Sequence, residues 1–312
     1  MLYPMLLISA LKETVWGKNE IYNMYGKGNK DRKIGESWEL SCRDDLKSVI
    51  ANGPFAGKTI TEVFYENKKA FTGKTDNKFP RLIKFIDAND NLSVQVHPDN
   101  EYAEKAGDVS GKTEMWHILS AKPGSKLIVG FKKKLSKEDL KVLAANGGIV
   151  DILNEVEVKN GDTFFIPSGM VHAIGKGIVL LEIQQNSDAT YRLYDWQRKD
   201  DSGNFRELHI DKAADVADRT VSSPVADNTT FLENGNELLA KCKYFTVTKR
   251  TSDKADTING MASIIVTKGT AVLGKLDLKA GDTVFIPYEC KKVPFKVSGE
   301  AVIVLQEDFN EC

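Results

Sequence analysis

The chain has 312 residues, 41% hydrophobic and 28% charged, a composition that excludes disorder, collagen-like repeats and low-complexity stalks. Its 43 basic and 44 acidic residues leave a formal charge of -1, so no global field recruits nucleic acid or an anionic membrane, and any anionic partner has to be small and locally held. No stretch reaches the roughly 18 apolar residues of a membrane span, and Cys42, Cys242, Cys290 and Cys312 form no CxxC pair, so a reducing cytoplasm is the expected compartment.

In chain order, Met1-Leu-Tyr-Pro-Met-Leu-Leu-Ile-Ser-Ala lacks a basic leader and runs into Lys12 and Glu13. It reads as a first strand, not a signal peptide. A helical pattern covers 58–69, and strand-like runs follow at 81–87, 92–97, 114–120 and 125–129. The basic run Lys132 to Lys134 reads as a solvated turn before a helix over 136–145, with Ser136 as N-cap and Asp139 in the first turn. A further strand is expected at 178–184 and a last helix at 211–216. The stretch 222–236, rich in Ser, Asp and Asn, then marks a boundary between a catalytic unit, 1–225, and a C-terminal unit, 226–312.

An internal repeat names the architecture. Val158-Lys-Asn-Gly-Asp-Thr-Phe-Phe-Ile-Pro167 returns as Leu278-Lys-Ala-Gly-Asp-Thr-Val-Phe-Ile-Pro287, offset by 120 residues. In each copy Gly-Asp is a turn, the next four residues are a short buried strand, and proline ends it. The expected fold is mainly β, two jelly-roll units with a few helices around the first.

The four histidines can be weighed one by one. In Ser93-Val-Gln-Val-His97, Val94 and Val96 share one face while Gln95 and His97 share the other, because strand side chains alternate. In Thr113-Glu-Met-Trp-His-Ile118, Glu114, Trp116 and Ile118 point one way, and Met115 and His117 the other. A carboxylate in so apolar a strand is costly unless it meets a cation or a metal, which makes Glu114 a candidate ligand and leaves His117 a structural role. The turn at Ser168-Gly169 reverses the chain so that His172 can point back into the barrel. His209, ahead of a helix in a polar region, carries no expected function. Two imidazoles, a carboxylate and the Gln95 amide oxygen suit zinc or ferrous iron, and without thiolates the set favours a site open to substrate over a purely structural one.

Gly161, Pro167, Gly169 and His172 reproduce the second cupin motif, G(x)5PxGxxH. Together with Gln95-Val-His97-Pro98-Asp99 and Lys112-Thr-Glu114, they make the chain resemble the zinc-dependent type I mannose-6-phosphate isomerases in their short bacterial form. The resemblance runs from about Trp16-Gly17 through Tyr191-Arg192 and on into a degenerate second cupin. It implies one Zn²⁺ per chain on Gln95, His97, Glu114 and His172, and a sugar phosphate as substrate. It also implies that Lys112, Glu182 and Arg192 are catalytic. The chain departs from the longer members, which read His-Lys-Pro-Glu where it has Gly111-Lys-Thr-Glu114, and Lys176 stands where the cupin motif often has asparagine. In the second unit Tyr288, Glu289 and Lys292 occupy the places of Ser168, Gly169 and His172, and no histidine is present. That unit cannot repeat the site and is expected to act as a packing partner.

The implied reaction interconverts mannose 6-phosphate and fructose 6-phosphate through a cis-enediol, with zinc polarising the sugar oxygens. Glu182 is the candidate base, its basicity raised by desolvation, or else a group that only orients a ligand or Lys112. Arg192 would stabilise the enediolate, or form a surface ion pair with Asp188 or Asp195. Lys112 would bind a substrate hydroxyl or the phosphate; Gly111-Lys112-Thr113 is no phosphate loop, because Ala106 stands where the first glycine is required. Two other readings remain at this point. One is a mononuclear ferrous dioxygenase using His97, Glu114 and His172, and the other is a non-catalytic sugar-binding double cupin.

Overall fold

Both copies of the Lys-x-Gly-Asp-Thr repeat fold into the same turn. In the computed structural model, which describes residues 1–76, 78–199, 202–221, 230–232 and 236–306, Gly161 and Gly281 take φ of +93° and +91°. Only glycine adopts that conformation without strain. The next residue closes each turn: Asp162 accepts from the Lys159 amide and Asp282 from the Lys279 amide, both at 2.9 Å. Strands Thr163–Ile166 and Thr283–Ile286 follow, and Pro167 and Pro287, which cannot donate to a ladder, end them.

Two cupin units result, and the second is degenerate. The first is a jelly roll of two antiparallel sheets. One has six strands in the order Thr163–Ile166, Glu114–Ala121, Ile178–Gln185, Arg81–Ala88, Ile34–Leu40 and Ala10–Lys18; the other has five, Tyr191–Tyr194, Val94–Val96, His172–Ile174, Lys126–Phe131 and Leu153–Glu157. Trp116, Ile118, Phe164 and Leu180 of the first sheet meet Leu127, Val129 and Ile174 of the second inside the barrel. The C-terminal unit supplies eight strands of a ten-stranded sheet, the other two being Met5–Ile8 and Val49–Ile50, around its own apolar filling of Ile264, Val266, Leu273, Val284, Phe295 and Ile303.

Alternation along the strands of the first unit supplies a second apolar face. Ile83, Phe85, Met115, Leu181 and Ile183 point out of the barrel and pack with Phe245, Val247, Phe285, Val302 and Val304 of the C-terminal unit. Each such side chain contributes roughly 1.5–3 kcal/mol on burial, so the two units share one continuous core. The first strand of the chain, Met5–Ile8, adds to that union by pairing with Thr283–Ile286.

The helical pattern over 58–69 resolves into Ile60–Glu66 and Lys68–Thr72, the former opened by a capping box between Thr59 and Glu62. Ser136 caps Lys137–Asn146 by accepting from the Asp139 amide, and the last helix is Ile210–Val216. Two further helices, Glu20–Tyr25 and Asn100–Ala106, escape the sequence reading because six or seven residues are too few for a 3.6-residue period to show. The boundary expected between 225 and 226, and Cys312, lie outside the described residues.

Candidate active site

The turn after Pro167 builds the site. Gly169 takes φ of +87°, donates its amide to the His97 carbonyl at 2.9 Å, and starts the chain back into strand His172–Ile174. There His172 pairs directly with Gln95. Strand Glu114–Ala121 closes the other side of the barrel, with Glu114 opposite Ile166 and Gln184. The two sheets thus bring His97, Glu114 and His172 together, with ligand atoms all within 4.8 Å of one another.

Each imidazole is aimed by a backbone carbonyl. His97 Nδ1 pairs with Ala189 O at 2.7 Å and His172 Nδ1 with Met170 O at 2.8 Å, which turns both Nε2 atoms toward Glu114, at 3.6 and 3.4 Å from its oxygens. Burial, with Lys112 nearby, drives the His97 pKa well down, and burial lowers that of His172 to about 4. Both rings are neutral, and each Nε2 carries its lone pair. Burial raises the Glu114 carboxyl to about 7 against the pull of Lys112, whose Nζ meets Oε2, while Oε1 has no hydrogen-bond partner. A buried carboxylate with one unpartnered oxygen beside two neutral imidazoles fits a divalent cation. The Gln95 side-chain amide lies 3.4 Å from His172 Nε2. Its oxygen and nitrogen exchange places by a half-turn, so the amide oxygen is available as a fourth ligand.

The other expected residues surround this group in a cleft of about 530 Å³, whose walls include Gln95, Lys112, Glu182 and Arg192. Lys112 Nζ stands 3.0 Å from Glu114 Oε2 and 3.2 Å from His97 Nε2. Glu182 accepts from Trp116 Nε1 at 3.2 Å. Its expected rise in basicity is corrected here: burial opposes ionisation, but Lys84 and Lys112 outweigh it and hold the carboxyl below its ordinary pKa. Arg192 lies opposite Gln95 and donates to the Glu207 carbonyl at 2.8 Å. The surface ion pair does not form: among the described residues Asp188 binds Arg43, and Asp195 binds Arg198 and Arg206. A larger surface cleft, of about 700 Å³ and lined by Phe79, Asn100, Val109 and Tyr244, contains none of these groups.

Comparison with known proteins decides the family. Residues 5–122 match the phosphomannose isomerase type I catalytic domain. The mannose-6-phosphate isomerase of Streptococcus mutans is 37% identical over 99% of both chains. The chain belongs to the type I phosphomannose isomerase family. The mannose-6-phosphate isomerase ManA of Bacillus subtilis is 35% identical over 97% of this chain and 98% of its own. A crystal structure of the mannose 6-phosphate isomerase from Bacillus subtilis superposes with a TM-score of 0.88 at 31% identity, covering 97% of this chain and 99% of that one. As a phosphomannose isomerase family member the chain is an enzyme, which decides against the non-catalytic and dioxygenase readings.

Within this cleft, sequence reasoning missed a second set of charges. Lys84, 8% exposed, bridges Glu36 and Glu182 at 3.3 Å each, and Trp38 Nε1 donates to Glu36 at 2.7 Å. Burial opposes ionisation of Glu36, yet Lys84 and Lys12 bring its pKa to about 2. The available signal was Glu36-Ser-Trp38 alternating on one strand, with Lys84 flanked by Leu82, Ile83, Phe85 and Ile86 on another. His209, expected to be idle, accepts the Arg192 amide on Nδ1 at 3.2 Å. His117 keeps the structural role expected of it, paired with Thr163 Oγ1 at 2.9 Å on the opposite face.

Proposed function

We propose that the chain interconverts mannose 6-phosphate and fructose 6-phosphate in the 530 Å³ cleft through a cis-enediol, with one zinc ion held by Gln95, His97, Glu114 and His172. The observation that carries this reading is the buried His97-Glu114-His172 group standing beside Lys112, Glu182 and Arg192. Bound zinc supplies Lewis-acid polarisation, worth several kcal/mol of charge stabilisation in such chemistry.

The chain's own residues do the rest. Glu182, held ionised by Lys84, takes the proton from one carbon and returns it to its neighbour, a role commonly worth about 10²- to 10⁴-fold. Lys112, buried against Glu114, donates to a sugar hydroxyl. Arg192 has no carboxylate within ion-pair distance among the described residues, and its Nε is unpartnered; it meets the negative charge of the enediolate. Further along the same wall Arg206 shares Asp195 with Arg198. Arg198 also reaches Asp90, and the Arg206 guanidinium, which lines the cleft, is suited to the substrate phosphate. The reaction would take place in the cytoplasm; among the described residues no helix is long and apolar enough to cross a membrane.

Metal analysis of purified protein, combined with a coupled assay for fructose 6-phosphate, tests this reading. About one zinc per chain and turnover that disappears with chelation and returns with zinc are the expected results. Full turnover in metal-free protein would overturn it.

A further inference from the structure

The loop between Pro98 and Glu114 is fastened by a polar chain that begins in the C-terminal unit. Tyr244 OH accepts from Asn100 Nδ2 at 3.2 Å. Asn100 Oδ1 accepts twice, from the Gly111 amide at 2.9 Å and from Gln185 Nε2 at 3.0 Å. Gln185, only 5% exposed, then grips Thr113 on both sides: its side-chain oxygen accepts the Thr113 amide at 2.9 Å, and its backbone amide donates to the Thr113 carbonyl at 3.1 Å. Thr113 sits between Lys112 and Glu114.

Gly111 completes the fastening by close approach. A Cβ there would lie 2.5 Å from the Asp99 carbonyl carbon and 2.6 Å from the Asn100 nitrogen, so the loop lies directly on the start of helix Asn100–Ala106. Lys112 also donates its amide to the Pro98 carbonyl at 3.0 Å. The Gly-Lys-Thr sequence, which fails as a phosphate loop, is here a docking strip.

We propose that Gln185 is a positioning residue for the Lys112-to-Glu114 segment, and that Tyr244 extends this control into the C-terminal unit. By this route the metal-free unit helps to set the geometry of a site in which none of its residues takes part. Glu114 Oε1 has no hydrogen-bond partner and Oε2 faces Lys112 of the same segment at 3.0 Å; the backbone of that segment therefore holds both side chains in place. The inference rests on the reading of Glu114 as a metal ligand.

The test measures zinc affinity by competition with a chelating dye, and kcat and KM, for wild type, Gln185→Leu and Tyr244→Phe. Gln185→Leu should weaken zinc binding about 10- to 100-fold, the usual effect of losing a group that orients a ligand. It should lower kcat with little change in KM. Tyr244→Phe removes one half-exposed hydroxyl, leaves the fold intact, and should shift both quantities the same way by about two- to fivefold. Wild-type affinity in a folded Gln185→Leu chain overturns the proposal for Gln185, and unchanged zinc affinity in Tyr244→Phe overturns the part given to the second unit. If Gln185→Leu does not fold, Asn100→Ala takes its place, with the same loss expected and the same null result fatal. A wild-type chain that binds no zinc fails the metal reading itself and removes the basis of this one.

Discussion

The two copies of the repeat are alike up to the proline and differ in everything after it. Before it, Gly161 donates to Ile118 O and Gly281 to Val266 O, while Asp162 and Asp282 accept from Ile118 and Val266. After it, Gly169 in the first copy donates to His97 O, and a strand beginning with buried His172 enters the barrel. In the second copy Glu289 occupies the glycine position and its amide donates to Ala70 O. Lys292, at φ of +51°, points into solvent, and its amide is held by Asn259 Oδ1. The shared half forms the same turn and strand in both copies; the half that diverged decides whether the barrel mouth gathers a group that could hold a metal or becomes a docking surface for the helix Lys68–Thr72.

The sharpest way to break this comparison is to remove a ligand from the first copy. His172→Ala should abolish stoichiometric zinc and cost roughly 10³-fold or more in turnover, since the metal's several kcal/mol are lost. Metal content and steady-state kinetics check it, with thermal melting to confirm the fold. Retained zinc at wild-type level would place the metal elsewhere.

Arg192→Ala should come next, with kcat and kcat/KM falling together by about 10²- to 10³-fold while zinc is retained, as expected of a group that meets charge only in the transition state. A rise confined to KM would make Arg192 a binding clamp instead.

Lys84→Met asks what holds Glu182 ionised. With Lys84 present the carboxyl sits below its ordinary pKa, so a base needed in its charged form stays active as the pH falls. Without Lys84 the burial of Glu182 is no longer outweighed, its pKa rises, and the acid limb of kcat/KM should move to higher pH. Each unit of that shift costs tenfold on the acid side. An unmoved limb would take Glu182 out of the rate-determining proton transfer.

The smallest effect belongs to the second copy. Lys292→Ala should leave zinc and turnover unchanged and alter stability by no more than about 0.5 kcal/mol, as for other exposed positions. A loss comparable to that of His172→Ala would show that the second barrel takes part in the chemistry.

What was legible in the chain alone followed from local rules. Period-two alternation put Glu114 and Trp116 on one face and Met115 on the other, and the structure places Trp116 inside the barrel and Met115 between the units. The repeat announced both barrels, and the absence of histidine from the second announced which one could hold a metal. The cap at Ser136 was readable because its bond to Asp139 spans three residues. The charge on Glu182 was beyond such rules. Desolvation is read from one strand, but the opposing cation, Lys84, lies nearly 100 positions earlier in sequence and reaches Glu182 only because strands Arg81–Ala88 and Ile178–Gln185 pair. That the units pack together was expected, but the strand that joins them was equally hidden, since Met5–Ile8 finds its partner at Thr283–Ile286. Periodicity reports which way a side chain points; only the folded chain reports what stands opposite it, and the pKa of a buried group depends on that neighbour.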